Sequence, residues 1–590
     1  MGQIKFTIAI FLGGVTGSIA FNANTVAGNC TDPPGEFVRG METPPPVLWV
    51  QTIPQIPPGT VEPQSPDWER LPDTPMPTEP APSVTPPETA PETPASAPGT
   101  TVMVREVTVL GNTVFSPEEI QRVVGPYEGK SATFEDLLAI RMSIADLYVA
   151  HGYVTSGAFL PPQDVSDGAI EIQAVEGELE RIEIEGLNRL TESYLRDRIG
   201  LAADPPIDLY ALEQALQLLQ LDPRLSSVRA QLKAGTTPGR SVLTLNVTEA
   251  SAMSGVLKVE NYDSPTVGSI RYSAALSHNN VLGFGDAIRA EYGRTAGVND
   301  YDIRYEVPMN ARNGTLSLRY RNSDSNIIED PFDELEIEGR TQTVSIGFRQ
   351  PIVQSSEEEF ALSVAADWRQ SRTFLYEDMP FSFSSGPEKG ESKVTALRLT
   401  QEWVRRTPKL VLAARSQFSV GLDLLGATAR DNEPDGQFVS WLGQFQWVQD
   451  LGGDVLGVAR FATQLTPNSL LPLEQFSVGG IDTVRGYRQN QRVGDNGAIA
   501  SLELRVPLVR DPEGWGSIQM APFIDVGTVW QTSGKVASPN TLVSGGLGVR
   551  WQHERFSARL DWGFPLSDIE RRGESLQDNG VVFSFQVYPF

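Results

Sequence analysis

Phe556-Ser557-Ala558-Arg559-Leu560-Asp561-Trp562 alternates strictly: Phe, Ala, Leu and Trp fall on one face, Ser, Arg and Asp on the other. A period of two is the signature of a strand. The same texture recurs across the C-terminal part of the chain. Ile288, Ala290 and Tyr292 alternate with Arg289 and Glu291; Leu316, Leu318 and Tyr320 with Ser317, Arg319 and Arg321; Phe360, Leu362 and Val364 with Ala361 and Ser363. Helical periodicity disappears after about residue 250 and does not return. The non-apolar face is charged, so the interior of this sheet is wet. Lipid outside and water inside demand that combination, which only a closed barrel satisfies. A soluble sandwich would not set Arg and Glu so regularly opposite large apolar residues, and no propeller blade repeat is visible.

A tilted membrane strand needs roughly 9–11 residues; with turns and loops each takes about twenty, so residues 251–590 hold about sixteen antiparallel strands. The chain closes Phe583-Ser584-Phe585-Gln586-Val587-Tyr588-Pro589-Phe590, alternating and ending on an aromatic. Pro589 is tolerable there because a terminal residue need not donate to the ladder.

The bulk numbers agree. The formal net charge is −27, which excludes nucleic acid, whose phosphates need a basic footprint. Mean hydropathy is −0.21, as expected where apolar and polar faces average out. One cysteine, Cys30, allows no internal disulfide, and three scattered histidines argue against a metal site. No cofactor is expected.

Residues 1–27 read as a secretory signal: Lys5, an apolar run from Phe6 to Ala20, then small residues. No later segment is apolar enough to be a membrane helix, so any crossing is by strands. Residues 28–101 are rich in Pro, Thr and Glu and read as an extended, disordered linker. Its aromatic patches at Val47–Val50 and Trp68–Leu71 are the places where it could dock.

Two small α/β modules follow, over 102–177 and 178–250. The first has a strand at Val104–Val109 and a turn at Gly111-Asn112. A capped helix begins at Ser116-Pro117-Glu118-Glu119, and a second runs from about Thr133 with Leu137, Ile140, Ile144, Leu147 and Tyr148 on one face. Strands near Val154–Leu160 and Ala169–Val175 complete a β-α-α-β-β unit. The order repeats: a strand at Arg181–Glu185, helices at Thr191–Ile199 and Asp208–Leu221, strands at Val228–Leu232 and Ser241–Val247. This is an internal duplication. Gly129-Lys130-Ser131 mimics the end of a P-loop, but Val124 stands where its leading glycine belongs, so nucleotide binding is rejected.

Four groups of residues in the first module are distinctive: Gly111-Asn112-Thr113-Val114-Phe115, Gly152-Tyr153-Val154, Leu160-Pro161-Pro162-Gln163-Asp164 and Val175-Glu176-Gly177. Far downstream stands Val478-Gly479-Gly480-Ile481-Asp482-Thr483-Val484-Arg485-Gly486-Tyr487, a glycine-flanked loop presenting one guanidinium. About forty residues later comes Phe523-Ile524-Asp525-Val526-Gly527. Together these resemble the two-partner-secretion transporters of the ShlB/FhaC type, with POTRA domains before a barrel. Gly283-Phe284-Gly285-Asp286 resembles a turn preceding an early barrel strand of that family.

The resemblance implies an outer-membrane protein with its POTRA domains in the periplasm, a pore and no enzyme activity. It would export a large haemagglutinin/haemolysin-type partner, received unfolded by the POTRA domains. Val484, Arg485, Gly486 and Tyr487 become the pore-loop motif, and Asp525, with Phe523 and Gly527, its anchor. Gly111, Asn112, Phe115, Gly152, Tyr153, Pro162, Gln163, Asp164, Glu176 and Gly177 become the POTRA motif. Phe590 becomes the signal read by the barrel-assembly machinery during insertion into outer-membrane lipid. The alternative is an assembly factor of the same barrel superfamily, which would more often carry further POTRA modules. Relatives can carry a helix that plugs the pore; here the proline tract stands in that place.

Overall fold

In the computed structural model the residues described are 63, 66, 68, 71 and 72 together with 101–590, apart from 377, 430–433, 512–513 and 570–572. The expected signal segment, Cys30 and most of the proline tract lie outside them.

The first module is built around capped helices. Ser116 and Glu119 form a reciprocal capping box at the helix Pro117–Val124, and Thr133 with Asp136 does the same at Phe134–Ala150. The long helix buries Leu137, Ile140, Ile144 and Tyr148 against a sheet whose central strand, Ala169–Val175, pairs with Glu106–Leu110 in parallel and Gly157–Phe159 in antiparallel. The strand expected over Val154–Leu160 is shorter than the sequence suggests. Tyr153–Ser156 forms a turn, Ser156 N–H donating to the Tyr153 carbonyl at 2.9 Å.

The second module, with strands Glu178–Glu185, Leu225–Ala234 and Arg240–Glu249 and helices Glu192–Gly200 and Leu209–Gln220, repeats the strand order first–third–second with the first and third parallel. Leu195, Leu212, Leu216, Leu243 and Leu245 are fully buried in its own core.

From Met253–Glu260 to Val581–Val587 the chain is a closed barrel. Among the described residues it has sixteen spanning strands, with the two-residue strand Met379–Pro380 added at one loop. The last strand meets the first through Ser584↔Glu260 to Val587↔Leu257. The wall is inverted relative to a soluble protein. Leu397 and Leu399 stand 37% and 52% exposed on the outside, while Arg398 between them is 6% exposed, turned inward onto Asp367. Water would drive those leucines in and that arginine out; lipid does the reverse. The outward apolar band continues through Ile346, Leu362, Phe418, Leu502, Ile524 and Leu560.

The second module marks the periplasmic rim. Thr191 N–H donates to the Gly283 carbonyl (2.8 Å), Arg224 Nε to the Asn279 carbonyl (3.2 Å) and Arg198 Nε to Asn313 Oδ1 (2.9 Å). Gly283-Phe284-Gly285-Asp286 is thus a turn before the strand Ala287–Arg294, as expected, and a docking point for the module. Arg198 and Arg224 both lie over the Tyr194 ring, at 3.6 and 5.6 Å. The loops at 327–337 and 466–495, with the described stretches 566–569 and 573–580, leave the opposite rim.

Candidate functional site

Residues 466–495 leave the outer rim at the end of Leu456–Leu465 and turn inward rather than arching away. Glycine permits it: Gly479, Gly480 and Gly486 have φ of +111°, +103° and +91°, a region side chains rarely enter. The short strands Phe476–Val478 and Arg492–Gly494 pair to make a hairpin, and Phe476, Val478, Val484 and Tyr487 are buried among wall residues Ile499, Val529 and Leu542.

Arg485 and Asp525 meet. Nε donates to Asp525 Oδ2 at 2.7 Å and Nη2 to Oδ1 at 2.8 Å, a two-pronged pairing, while the Arg485 backbone N–H reaches Oδ2 at 3.1 Å. The guanidinium lies 3.6 Å over the Phe523 ring. Ser501 Oγ donates to Asp525 Oδ1 at 2.6 Å and receives Arg485 Nη2 at 3.2 Å.

The sequence pointed to one pair; the structure holds a network. Arg485 Nη1 also donates to Glu503 and, at 3.5 Å, to Asp561; Arg505, Arg550 and Arg559 pair with those same two carboxylates. Glu503 and Asp561 escaped notice because every charged residue on the inner face of a strand looks alike in sequence, and only strand stagger decides which meet. The side chains of Arg485 and Asp525 are 5% and 1% exposed. That sets the cost of removing one partner at about 3–5 kcal/mol rather than the small value of a solvated pair.

Shape complements charge. Gly527, in the anchoring motif, leaves room for Val478 and Val484; a Cβ there would sit 2.5 and 2.8 Å from their methyls. Gly546 gives the same relief to the Phe523 ring at 2.4 Å. Tyr487 donates its hydroxyl to the Val543 carbonyl at 2.6 Å and receives Ser567 N–H at 2.9 Å.

The loop is held at a second point on the wall. Glu474 accepts Arg398 Nη2 at 2.8 Å and Arg369 Nη1 at 3.1 Å, tying the start of the loop to the strands Glu358–Leu375 and Glu391–Arg406. Beside these strands remains a cavity of about 510 Å³, lined by Arg319, Arg349, Glu402, Arg415 and Gln417.

Trp68, Leu71 and Pro72 of the proline tract lie against the lumen loop and the wall. Trp68 donates its indole N–H to the Asp482 carbonyl at 2.8 Å, Leu71 is buried in the same apolar cluster, and the Pro72 carbonyl accepts Gln446 Nε2 at 2.7 Å. At these residues the tract is docked against the loop, not a free spacer. Its only sequence signal was an apolar pair in a polar, proline-rich setting.

The POTRA-motif residues take scaffold positions. Asn112 closes its own turn through Phe115 N–H and carbonyl. Glu176 accepts Thr113 N–H at 2.7 Å and the Tyr148 hydroxyl at 3.0 Å. Gln163 pairs both amide atoms with the Glu171 backbone, extending the sheet beyond Gly157–Phe159, and Asp164 accepts Ser166 N–H. Pro162 directly precedes Gln163, and Tyr153 packs edge-on to Phe115 and Tyr148. Gly111, Gly152 and Gly177 stand where a Cβ would lie within 3 Å of a neighbour. At the other end of the chain, Phe590 is 61% exposed, its carbonyl facing Gly255 N–H at 3.4 Å.

Known proteins share this architecture. The family described as haemolysin secretion/activation protein ShlB/FhaC/HecB matches residues 239–551, and the POTRA domain, ShlB-type, matches 102–177. The outer membrane transporter CdiB of Escherichia coli is 24% identical over 487 residues, covering 80% of this chain and 81% of its own. The heme/hemopexin transporter protein HuxB of Haemophilus influenzae (strain 86-028NP) is 23% identical over 417 residues, covering 66% and 69%. The solved structure of E. coli CdiB superposes with a TM-score of 0.66 at 23% identity, over 86% of this chain and 94% of that one. A matched family region spanning more than half the chain, preceded by its POTRA domain and closed as an outer-membrane barrel, establishes that the chain belongs to the ShlB/FhaC/HecB family, the outer-membrane transporters of two-partner secretion.

Proposed function

We propose that this transporter receives one large secreted partner, unfolded, in the periplasm and passes it through the barrel past the loop 466–495. The outer edge of Leu225–Ala234 in the second module suits the addition of an extended segment as a further strand, whereas on the outer edge of Glu106–Leu110 in the first the Val107 N–H already donates to Glu128 Oε1 at 3.1 Å. The chain then moves along the polar cavity beside Arg349, Glu402 and Arg415. Val484, Arg485, Gly486 and Tyr487 act as the yielding element, and Asp525, Phe523 and Gly527 as the seat to which it returns. Folding outside, rather than nucleotide hydrolysis, gives the motion its direction. No covalent chemistry is performed on the substrate.

The observation that carries this reading is the lumen position of Arg485. A charge 5% exposed and held by three carboxylates keeps an inward-folded loop in one place, yet leaves it detachable without breaking the wall. Deletion of the gene tests the reading. One large protein should vanish from the medium while other outer-membrane proteins keep their levels. If many outer-membrane proteins fall together, the chain is an assembly factor instead.

A further inference from the structure

Three residues after Arg485, on the same loop, a second arginine makes an equally complete clasp on different partners. Arg488 Nε and Nη2 donate to Asp578 Oδ1 and Oδ2 at 2.6 and 2.8 Å, and Nη1 and Nη2 donate to Glu329 Oε2 and Oε1 at 2.9 and 2.7 Å. Four donor contacts go to two carboxylates, both gripped two-pronged. The Arg488 and Asp578 side chains are 7% and 5% exposed. The chain at Gly573 passes so close that a Cβ there would sit 2.7 Å from Nη2.

Neither carboxylate belongs to the wall. Glu329 lies in the outer loop 327–337 and Asp578 in the outer stretch 573–580. Those loops join others: Ile328 N–H donates to the Thr266 carbonyl at 2.9 Å, Gly297 N–H to the Val267 carbonyl at 3.0 Å, and Gln577 Nε2 to the Asn261 and Asp263 carbonyls, both at 2.6 Å. Gln577 in turn accepts Gln489 N–H at 2.9 Å. Outer loops from both sides of the seam between first and last strands are therefore one hydrogen-bonded cover. Arg488 and Gln489 are where the lumen loop holds it.

We propose that Arg488 is the latch of an outer gate: it ties the lumen loop to this cover, and the exported chain leaves only when the clasp opens. The proposal rests on the transporter reading for what passes, but the gate itself is a property of the barrel. Arg485 fixes the loop to the wall and Arg488 fixes the mouth to the loop, so movement of one element opens both. An ordinary structural ion pair would stabilise the cover without controlling passage.

Planar-bilayer recordings of the purified full-length protein separate the two, with no partner needed. Because Trp68 also packs against this loop, each variant is recorded in the wild-type and the Trp68→Ala background. Arg488→Ala should raise the fraction of time spent open at least tenfold in one or both backgrounds. Glu329→Gln and Asp578→Asn, each leaving Arg488 one full carboxylate, should raise it by a smaller factor. Arg488→Lys, which keeps the charge but cannot grip two carboxylates in parallel, should fall between wild type and Arg488→Ala. Heat-modifiable migration on gels reports that the barrel is folded. If Arg488→Ala fails to fold, the two carboxylate variants decide. Open fractions equal to wild type in both backgrounds, with folded barrels, overturn the gate. Opening by Arg488→Ala in a protein whose deletion removes no exported partner keeps the gate and rejects the transport reading.

Discussion

Gly486 and Gly563 touch backbone to backbone. A Cβ on Gly486 would lie 2.9 Å from the Gly563 carbonyl carbon, and one on Gly563 would lie 2.6 Å from the Gly486 nitrogen. The lumen loop rests against the wall here, on the strand Phe556–Pro565, directly after Arg485. Gly563→Val keeps strand propensity but inserts a branched side chain into that contact. The loop should be displaced, becoming sensitive to protease between Gly479 and Gln491, with export down at least tenfold. A protease-resistant loop in the folded variant would mean the contact is incidental.

Trp68 presents two separable interactions, one hydrogen bond and one buried ring. Trp68→Phe removes the donor to the Asp482 carbonyl, a loss of about 1 kcal/mol. Trp68→Ala also removes the ring from the cluster with Phe476 and Val478, about 3–5 kcal/mol for a core aromatic. Ionic conductance should rise in the order wild type, Trp68→Phe, Trp68→Ala. Equal conductance in all three would show that the docked segment does not obstruct the pore.

At the junction between the second module and the barrel, Glu249 accepts the backbone N–H groups of Asn188, Arg189 and Leu190 at 2.8 to 3.0 Å. Desolvation pushes its pKa up, but those three donors, with the charge of Arg189, outweigh it and hold the carboxyl below its ordinary value. The folded pKa is thus the lower one. The stabilisation is present above the ordinary carboxylate range and is lost as pH falls through the folded value. Arg189, and beyond it His278 at 3.1 Å, are the other charged or titratable groups at this carboxylate. Protection of the 188–190 amides, taken relative to intrinsic exchange at each pH, should be high at neutral pH and fall in acid. Glu249→Gln should show low protection at both, and His278→Asn should behave as wild type. Protection that does not change with pH in the wild type would remove Glu249 from the junction.

Much of this was legible because the relevant signals are local. Period-two alternation around Leu560 needs no partner to be read, nor does the Ser116–Glu119 capping box. Arg485 and Asp525 could be paired because both stand in distinctive, glycine-marked surroundings. Glu503, Asp561 and Asp578 could not. Each is one acidic residue among many, and its partner depends on strand stagger or on how a long loop returns. Arg488 and Glu329 are 159 positions apart with no pattern linking them. The bare stretch Ser544-Gly545-Gly546-Leu547-Gly548, with Gly563 beyond, was the available hint that something lies against that wall. Trp68 was hidden by composition, since a proline-rich acidic tract reads as solvated however one of its aromatic residues is placed.

Asp525→Asn separates the anchoring carboxylate from the rest of the network. Arg485 would keep Glu503 and Asp561 but lose its two-pronged partner, leaving it under-compensated in a dry site. Export should fall by less than for loss of the arginine, because part of the network persists. A larger loss than Arg485→Ala would mean that Asp525 contributes something other than holding the arginine.

Arg485→Ala tests the central claim most directly. Without it Arg505, Arg550 and Arg559 still pair with Glu503 and Asp561, while Asp525 keeps the Ser501 hydroxyl; the loss of about 3–5 kcal/mol falls on the seat of the loop, and the strand ladder of the wall is untouched. The measurement is the amount of the gene-dependent secreted protein in the medium, alongside the amount of folded, heat-modifiable barrel in the outer membrane. The expected result is export reduced at least tenfold with the barrel at its normal level. Undiminished export from a normally inserted Arg485→Ala barrel would contradict the account.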